Sequence, residues 1–84
     1  MKVKEIKVYS TITCPYCIME KQWLDANKIA HKVVYVDMDQ NEARKMINST
    51  GQMGVPVTEI AYEDGSTNYV VGFDQTQLKK AVGL

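Results

Sequence analysis

Apolar and polar positions recur along this chain with two different spacings, which predict strands in some segments and helices in others. In residues 5–10, Ile6 and Val8 alternate with more polar neighbours, and this period of two predicts a first strand. From Pro15 to about Asn27, apolar residues return at helical spacing, and proline suits a first helical turn because the N–H that it lacks has no partner there. The first predicted elements are therefore a strand and, almost directly after it, a helix.

A second strand and a second helix follow in the pattern. Residues 33–36 are rich in valine and predict a strand. Asp39, with Glu42 three residues later, resembles a capping box and predicts the start of a helix. Gly51 predicts the end of that helix, because glycine readily adopts the left-handed conformation found there.

The remaining residues predict a hairpin and a short helix. Residues 57–62 and 67–71 are strand-like, and the Asp-Gly step between them is a strong signal for a tight turn. Asp74 then predicts the start of a helix that runs to about Val82. In order, the elements are βαβαββα, with the first two strands parallel and the last two antiparallel. This is an α/β fold in which three helices flank a four-stranded mixed sheet.

Size and charge narrow the class of protein. The 84 residues suffice for one domain, taken here as residues 1–84, with a single hydrophobic core. Ten acidic and ten basic residues balance, so the chain lacks the basic face expected of a nucleic-acid-binding protein. Residues 1–7 alternate lysine with apolar residues, unlike a secretory signal or a membrane span. We therefore expect a cytoplasmic protein with no nucleic-acid or membrane partner.

The candidate chemistry is concentrated in Cys14-Pro15-Tyr16-Cys17, which contains the only two cysteines of the chain. A right-handed crossover places the start of the first helix at the carboxyl edge of the first strand, where α/β proteins build their sites. Two thiols three residues apart can alternate between dithiol and disulfide. In a reducing compartment, a close cysteine pair is more often a redox dithiol than a structural bridge. The motif therefore predicts thiol–disulfide exchange.

A metal site is the alternative from a different class. Cys14, Cys17 and the lone His31 offer at most three ligands at a spacing unsuited to zinc, so a metal ion would need a partner chain. We expect His31 to be an exposed residue at the entry to the second strand. A metal or iron–sulfur binding module stays open as a second hypothesis.

The two cysteines are expected to have different roles in the exchange. Cys14 lies at the helix start, where backbone N–H groups and the helix dipole favour its thiolate, so it is the expected nucleophile. Cys17 lies one turn further into the helix and is expected to be less exposed, which makes it the resolving thiol. Lys21, on the same helix face, is expected to contribute little because a solvated charge is screened.

Three motifs resemble those of the glutaredoxin family, in the same order. They are Val-Tyr-Ser-Thr-Ile-Thr-Cys-Pro-Tyr-Cys at 8–17, Gly-Val-Pro at 54–56 and Val-Gly-Phe-Asp at 71–74. The resemblance covers nearly the whole chain and implies a thioredoxin-like fold. It also implies a thiol–disulfide oxidoreductase that reduces protein disulfides or mixed disulfides with glutathione.

The same resemblance implies a substrate-binding surface around the dithiol. Pro56 is cis in the thioredoxin fold and faces the dithiol, and Val55 before it offers its N–H and C=O to the substrate. Phe73 and Asp74 lie where glutaredoxins hold the γ-glutamyl end of glutathione at a helix start. The complete expected set is Thr11, Pro15, Tyr16, Gln52, Val55, Pro56, Gly72, Phe73 and Asp74.

Two positions depart from the family pattern. Many glutaredoxins have a lysine where this chain has Thr11, and often an arginine where it has Gln52. A carboxylate of glutathione would then gain hydrogen bonds without an ion pair. Arg44 and Lys45 could substitute, although we expect them on the solvated face of the second helix.

The physiological reductant is the main choice left open. Glutathione is the favoured reductant and co-substrate of a monomeric protein with no tightly bound cofactor. The rival is a glutaredoxin-like redoxin that a thioredoxin-type flavin reductase recharges, as it does the small hydrogen donors of ribonucleotide reductase. Pro15-Tyr16 between the cysteines is more typical of glutaredoxins proper, and Pro15 also argues against a bridging iron–sulfur cluster.

Overall fold

The computed structural model describes residues 2–51 and 54–83 and contains the elements in the predicted order. The strands are β1 (Val3–Ser10), β2 (Lys32–Tyr35), β3 (Val57–Tyr62) and β4 (Thr67–Val71). The helices are α1 (Pro15–Ala26), α2 (Gln40–Thr50) and α3 (Gln75–Val82). The strands form one mixed sheet in the order β2-β1-β3-β4, which confirms the predicted α/β architecture.

Strand pairing brings three loops to one edge of the sheet. Strands β1 and β2 are parallel, whereas β3 is antiparallel to both β1 and β4. Tyr9 near the end of β1 pairs with Val57 at the start of β3, and Val57 pairs in turn with Val71 at the end of β4. The segments after β1, before β3 and after β4 therefore meet at the same edge.

The two faces of the sheet bury two separate clusters, because successive strand residues point to opposite faces. The face under α1 and α3 carries the larger cluster, formed by Ile6, Ile60, Tyr62, Val70, Leu78 and Ala81. The face under α2 carries a smaller one, formed by Tyr9, Met46 and Val57. Helix α1, which carries the dithiol, thus packs on the face with the larger buried cluster.

The element ends agree closely with the predictions, with small differences where pairing extends or cuts a strand. Strand β1 begins at Val3, earlier than predicted, because Val3 pairs with Tyr62 of β3. Strand β2 ends at Tyr35 and omits Val36, because the chain turns there and the N–H of Met38 bonds back to the Tyr35 carbonyl.

Helix α1 ends near Asn27 as predicted, but in a way that the sequence did not signal. The N–H of Ile29 bonds to the carbonyl of Leu24, and the N–H of Lys28 to that of Asp25. These two bonds form a Schellman motif, in which the residue after the cap adopts a left-handed conformation. That residue is Lys28, with φ 57°, where glycine is usual.

The expectation that His31 is exposed is wrong. Its side chain is only 7% exposed, and its Nε2 lies 3.9 Å from a carboxylate oxygen of Asp25. Its Nδ1 lies within hydrogen-bond distance of the Ile29 carbonyl oxygen, at 2.9 Å. The turn after α1 folds the imidazole against the helix, a tertiary effect that residues next to it in sequence do not signal.

Candidate active site

Cys14 is the residue that caps the amino end of α1. Its backbone is extended, and its Sγ accepts a hydrogen bond of 3.2 Å from the N–H of Cys17. The two cysteines are joined as a disulfide across a Cα–Cα distance of 5.2 Å. Serine or aspartate usually supplies this cap through oxygen, so here a sulfur takes the place of an oxygen acceptor. A backbone donor aimed at Sγ stabilises negative charge there, as a thiolate nucleophile requires.

Exposure distinguishes the two sulfurs in the predicted sense. Cys14 is 9% exposed and Cys17 is 3% exposed. Tyr16 between them is 62% exposed, and Pro15 is also on the surface. Cys14 is therefore the slightly more accessible of the two cysteines, and it lies next to a solvent-facing aromatic residue.

The peptide bond between Val55 and Pro56 is cis, as the resemblance implied. Pro56 is buried and Val55 is half-buried. The Pro56 carbonyl accepts a hydrogen bond of 2.8 Å from the N–H of Gly72. Gly72 has φ 77°, a left-handed conformation that favours glycine, so this residue type lets the chain turn from β4 toward α3 beside the proline.

Phe73 and Asp74 form the start of α3. Asp74 is the N-cap, and its carboxylate accepts the N–H of Gln77 at 3.2 Å, as predicted. The Phe73 ring meets the Trp23 ring of α1 edge to face, with centroids 6.5 Å apart. This aromatic contact fixes the start of α3 against the helix that carries the dithiol.

These observations agree with the comparison to known protein families. A family model described as glutaredoxin matches residues 6–63, more than half of the chain. This chain belongs to the glutaredoxin family. An uncharacterized glutaredoxin-like 8.6 kDa protein in the rubredoxin operon of Clostridium pasteurianum is 39% identical over 77 residues, covering 92% of this chain and 96% of that protein. Membership supports the general class of thiol–disulfide oxidoreductase.

Solved glutaredoxin-like structures confirm the thioredoxin-like fold. Methanoredoxin from Methanosarcina acetivorans superposes with a TM-score of 0.82 at 24% identity, covering 95% of this chain and 85% of that one. The glutaredoxin-like NrdH-redoxin from Escherichia coli gives a TM-score of 0.73 at 21% identity, covering 92% and 93%. At these identities the likeness shows the fold alone.

The departures from the glutaredoxin pattern have different surroundings. Thr11 is half-buried, and its carbonyl accepts the N–H of Cys14 at 3.4 Å. Gln52 lies outside the described residues. Arg44 is exposed, and Lys45 is exposed with its Nζ 3.4 Å from Glu42, which is the solvated face expected of them. The binding roles assigned to these positions stay predictions.

A cleft beside the dithiol went unnoticed in the sequence. It has a volume of about 110 Å³ and lies between α1 and the strands β1 and β2. Exposed Ile12, Ile18 and Tyr35 line it together with Cys17 and Lys21. Its apolar rim adjoins the redox pair, and only the parallel β1–β2 pairing brings these distant residues together.

Glu20 is the second feature that the sequence reasoning missed. It is 0% exposed on the inner face of α1, and its Oε2 accepts a hydrogen bond of 2.7 Å from Thr58 of β3. Burial raises the pKa of the Glu20 carboxyl, while the Thr58 hydrogen bond and the charge of His31 partly oppose the shift. A glutamate at the spacing of the buried positions Cys17 and Leu24 was the available signal.

Residues 2–51 and 54–83 contain neither a membrane-spanning helix nor a metal-binding cluster. None of the helices there has the length and apolar character needed to cross a bilayer. Within the same ranges, no three histidine, cysteine or acidic side chains are grouped as a metal ion would need.

Proposed function

We propose that this glutaredoxin-family protein reduces protein disulfides and mixed disulfides with glutathione through Cys14 and Cys17. The observation that carries the proposal is the hydrogen bond of 3.2 Å from the Cys17 N–H to Cys14 Sγ at the start of α1. It supports a nucleophile at Cys14, with a second sulfur already within bonding reach. The cytoplasm, where such a pair is kept reduced, is the proposed location.

The reaction runs in two exchanges. The Cys14 thiolate attacks a sulfur of the target disulfide, and the other target sulfur leaves as a thiolate that takes a proton from water. The Cys17 sulfur then attacks Cys14 Sγ, which releases the remaining target thiol and forms the Cys14–Cys17 disulfide. Two thiols of a reductant reverse this bond and complete the cycle.

Substrate positioning is proposed for the loops that meet at the dithiol edge of the sheet. The Val55 backbone, next to the cis bond to Pro56, would pair with an extended substrate segment. The exposed Tyr16 ring offers a surface for the substrate to lie on. Gly72, Phe73 and Asp74 at the start of α3 would receive the γ-glutamyl carboxylate of glutathione.

Glutathione is the proposed co-substrate of a monomeric protein with no tightly bound cofactor. The Cys-Pro-Tyr-Cys motif and the family membership support this choice. The second candidate is recycling by a thioredoxin-type flavin reductase, with an enzyme such as ribonucleotide reductase as electron acceptor. Thr11 favours it because the position lacks the cation found in many glutaredoxins, and a solved structural neighbour is described as a glutaredoxin-like protein with a thioredoxin-like activity profile.

A coupled NADPH assay distinguishes the two candidate reductants. Oxidised protein is offered either glutathione with glutathione reductase or a thioredoxin-type reductase, and NADPH consumption is followed. Turnover with glutathione supports glutathione as the reductant, and turnover only with the thioredoxin-type reductase supports the flavin reductase instead.

Cys14→Ser should abolish reduction of every disulfide, whereas Cys17→Ser should trap mixed disulfides with protein substrates. Full activity in both variants would overturn the proposed chemistry.

A further inference from the structure

Helix α1 buries one carboxyl group for which the two exchanges above have no use. Glu20 is 0% exposed. Thr58 satisfies its Oε2, whereas its Oε1 has no hydrogen-bond partner within residues 2–51 and 54–83. Buried polar atoms are nearly always paired, so an unpaired carboxyl oxygen on the helix that carries the redox pair calls for a functional reason.

Glu20 follows the resolving cysteine by three residues on the same buried face of α1. Cys17 and Glu20 both belong to the buried face of α1, and residues three apart on a helix are neighbours on one face. Helical side chains lean toward the amino end of their helix, so the Glu20 side chain leans toward the turn that holds Cys17. In the disulfide the Cys17 sulfur carries no proton. After reduction it becomes a thiol, which is the kind of donor that Oε1 lacks.

His31 is the basic group that acts on Glu20, and its ring nitrogens already have neighbours. Its Nδ1 lies 2.9 Å from the Ile29 carbonyl oxygen, and its Nε2 lies 3.9 Å from a carboxylate oxygen of Asp25. The Asp25 side chain is 62% exposed, so its carboxylate is in contact with solvent. His31 therefore acts on the pKa of Glu20 through its charge, and it makes no hydrogen bond to Oε1.

The other elements packed on this face bring few polar groups to Glu20. Tyr62 of β3 donates its hydroxyl to the Ala81 carbonyl at 2.7 Å. Ser10 of β1 is buried, and its hydroxyl lies 3.3 Å from the carbonyl oxygen of the next residue. Lys21 is the adjacent residue on α1 and is exposed. The Cys17 thiol of the reduced protein is thus the group best placed to meet Oε1.

We propose that Glu20 is the proton acceptor for Cys17 when the mixed disulfide is resolved. The inference rests on the proposed exchange through Cys14 and Cys17 and adds the fate of one proton. Cys17 transfers its thiol proton to Glu20 as its sulfur attacks Cys14 Sγ. The bond between Cys14 and the target sulfur breaks, and the electron pair leaves with that sulfur. The departing thiolate takes a proton from water, Glu20 keeps the proton that it accepted from Cys17, and the Cys14–Cys17 disulfide forms.

The same carboxyl serves the reverse direction. A reductant thiolate that attacks Cys14 expels the Cys17 sulfur, which must take up a proton inside the protein. A protonated Glu20 supplies it, and burial favours that protonated form by raising the pKa of Glu20. One buried carboxyl thereby accepts and returns the proton of Cys17, a residue that is only 3% exposed.

Stopped-flow reaction with one equivalent of dithiobis(nitrobenzoate) separates the two exchanges. Reduced protein releases one nitrothiobenzoate when Cys14 attacks and a second when Cys17 resolves the mixed disulfide. Glu20→Gln should slow the second release by about 100-fold at neutral pH, the low end of what general acid–base catalysis contributes. It should also remove from that phase the pH dependence due to the carboxyl, and leave the first release unchanged.

Two further variants keep the test decisive. Thr58→Val keeps the Glu20 carboxyl and removes its hydrogen-bond donor. Because that hydrogen bond lowers the pKa of Glu20, the pH at which the rate of the second phase is half-maximal should rise. Glu63→Gln makes the same chemical change at an exposed acid outside α1, so it is the matched control and should change neither phase.

Each remaining outcome overturns a distinct part of the account. A second phase with unchanged rate and pH profile in Glu20→Gln, or an unmoved midpoint in Thr58→Val, overturns the assignment of Glu20. Equal loss of both phases in Glu20→Gln shows a structural role and overturns it as well. Absence of the first release in the wild type would instead contradict the proposed function.

Discussion

Helices α1 and α2 lie on opposite sides of one sheet and differ at three corresponding points, beginning with the amino end. Asp39 caps α2 in the usual way, and its carboxylate accepts the N–H groups of Asn41 and Glu42. Cys14 caps α1, and its sulfur accepts the N–H of Cys17. Oxygen is the stronger acceptor, so α2 has the better cap and α1 has the reactive one.

Each helix also directs a glutamate toward the sheet, with opposite results. Glu42 of α2 accepts a hydrogen bond of 2.6 Å from Lys7 of β1, and this bond lowers the pKa of the carboxyl. Glu20 of α1 has a hydroxyl partner in Thr58, and burial raises the pKa of its carboxyl. One carboxylate is therefore stabilised by its surroundings, and the other is destabilised by them.

The carboxyl ends complete the contrast. Gly51 ends α2 in a left-handed conformation with φ 74°, which glycine adopts readily. Lys28 adopts the same kind of conformation after α1, with φ 57°. The less stable residue is thus found in α1 at all three points: cysteine at the cap, a buried glutamate, and lysine in a left-handed conformation. This is expected of a helix that carries reactive groups, because functional sites often reduce the stability of a fold.

The largest stability effect is expected from removing the buried carboxyl group of Glu20 from α1. Glu20→Met should raise the free energy of unfolding of the disulfide form by about 1–3 kcal/mol at neutral pH, the scale on which an unsatisfied buried polar group destabilises a fold. Because the folded pKa of Glu20 is raised, the wild type loses stability as pH rises from the ordinary value of 4.5 through the folded pKa. The advantage of the variant should therefore grow with pH and disappear in acid, as urea unfolding at several pH values can show. A constant advantage at all pH values would contradict this reading of Glu20.

The next effect concerns the two caps. In reduced protein, Cys14→Asp should be about 1 kcal/mol more stable than Cys14→Ala, because aspartate accepts the N–H groups that alanine leaves unpaired. Both variants lack the disulfide and the nucleophile, so the comparison is balanced and both should be inactive. Asp39→Ala should destabilise α2 by a similar amount. Urea unfolding measures all three, and equal stability of the two Cys14 variants would show that position 14 does not act as a cap.

A smaller effect is expected from the ion pair of α2. Glu42→Gln should lower the free energy of unfolding by about 0.5–1 kcal/mol at neutral pH. Because the folded pKa of Glu42 is lowered, this stability is present above the ordinary value of 4.5 and is lost as pH falls through the folded pKa. The pH trend is thus opposite to that of Glu20. Lys45→Gln removes the exposed contact to Glu42 and is the control, for which the free energy of unfolding should hardly change. A larger loss of stability than in Glu42→Gln would contradict the assignment of the stabilising ion pair to Lys7.

The smallest effect tests the ends of the two helices. Lys28→Gly should stabilise the protein by about 0.5 kcal/mol, because relief of the left-handed conformation exceeds the entropy that glycine loses on folding. Thermal unfolding of the disulfide form detects such a change. Ala26→Gly, inside α1, is the matched control and should destabilise. Loss of stability in Lys28→Gly would mean that lysine makes contacts there that outweigh its strained backbone.

Local signals explain which features the sequence could predict. Asp39, Gly51 and Asp74 bond to backbone groups within a few residues, and the helix ends that they predicted are confirmed. Glu20 is hydrogen-bonded to Thr58, which is 38 residues away along the chain, and this partner could not be inferred from α1 alone. The burial of His31 depends likewise on how the turn after α1 folds back.

The candidate site divides in the same manner. The Cys-Pro-Tyr-Cys motif placed the dithiol at the start of α1 because strand, loop and helix signals are contiguous there. The Gly72 contact to Pro56 and the cleft lined by Ile12 and Tyr35 arise only when separate strands pair. Motifs therefore indicated the reacting atoms, and the fold supplied their surroundings.

The central claim is that the N–H of Cys17 and the helix dipole at the start of α1 hold the sulfur of Cys14 as a thiolate. Ultraviolet absorbance of the reduced protein at neutral pH, measured beside Cys14→Ser and Cys17→Ser, tests it most directly. The account predicts a thiolate signal in the wild type that survives in Cys17→Ser and is lost in Cys14→Ser. A wild type without thiolate at neutral pH, or a signal that persists in Cys14→Ser, would contradict it.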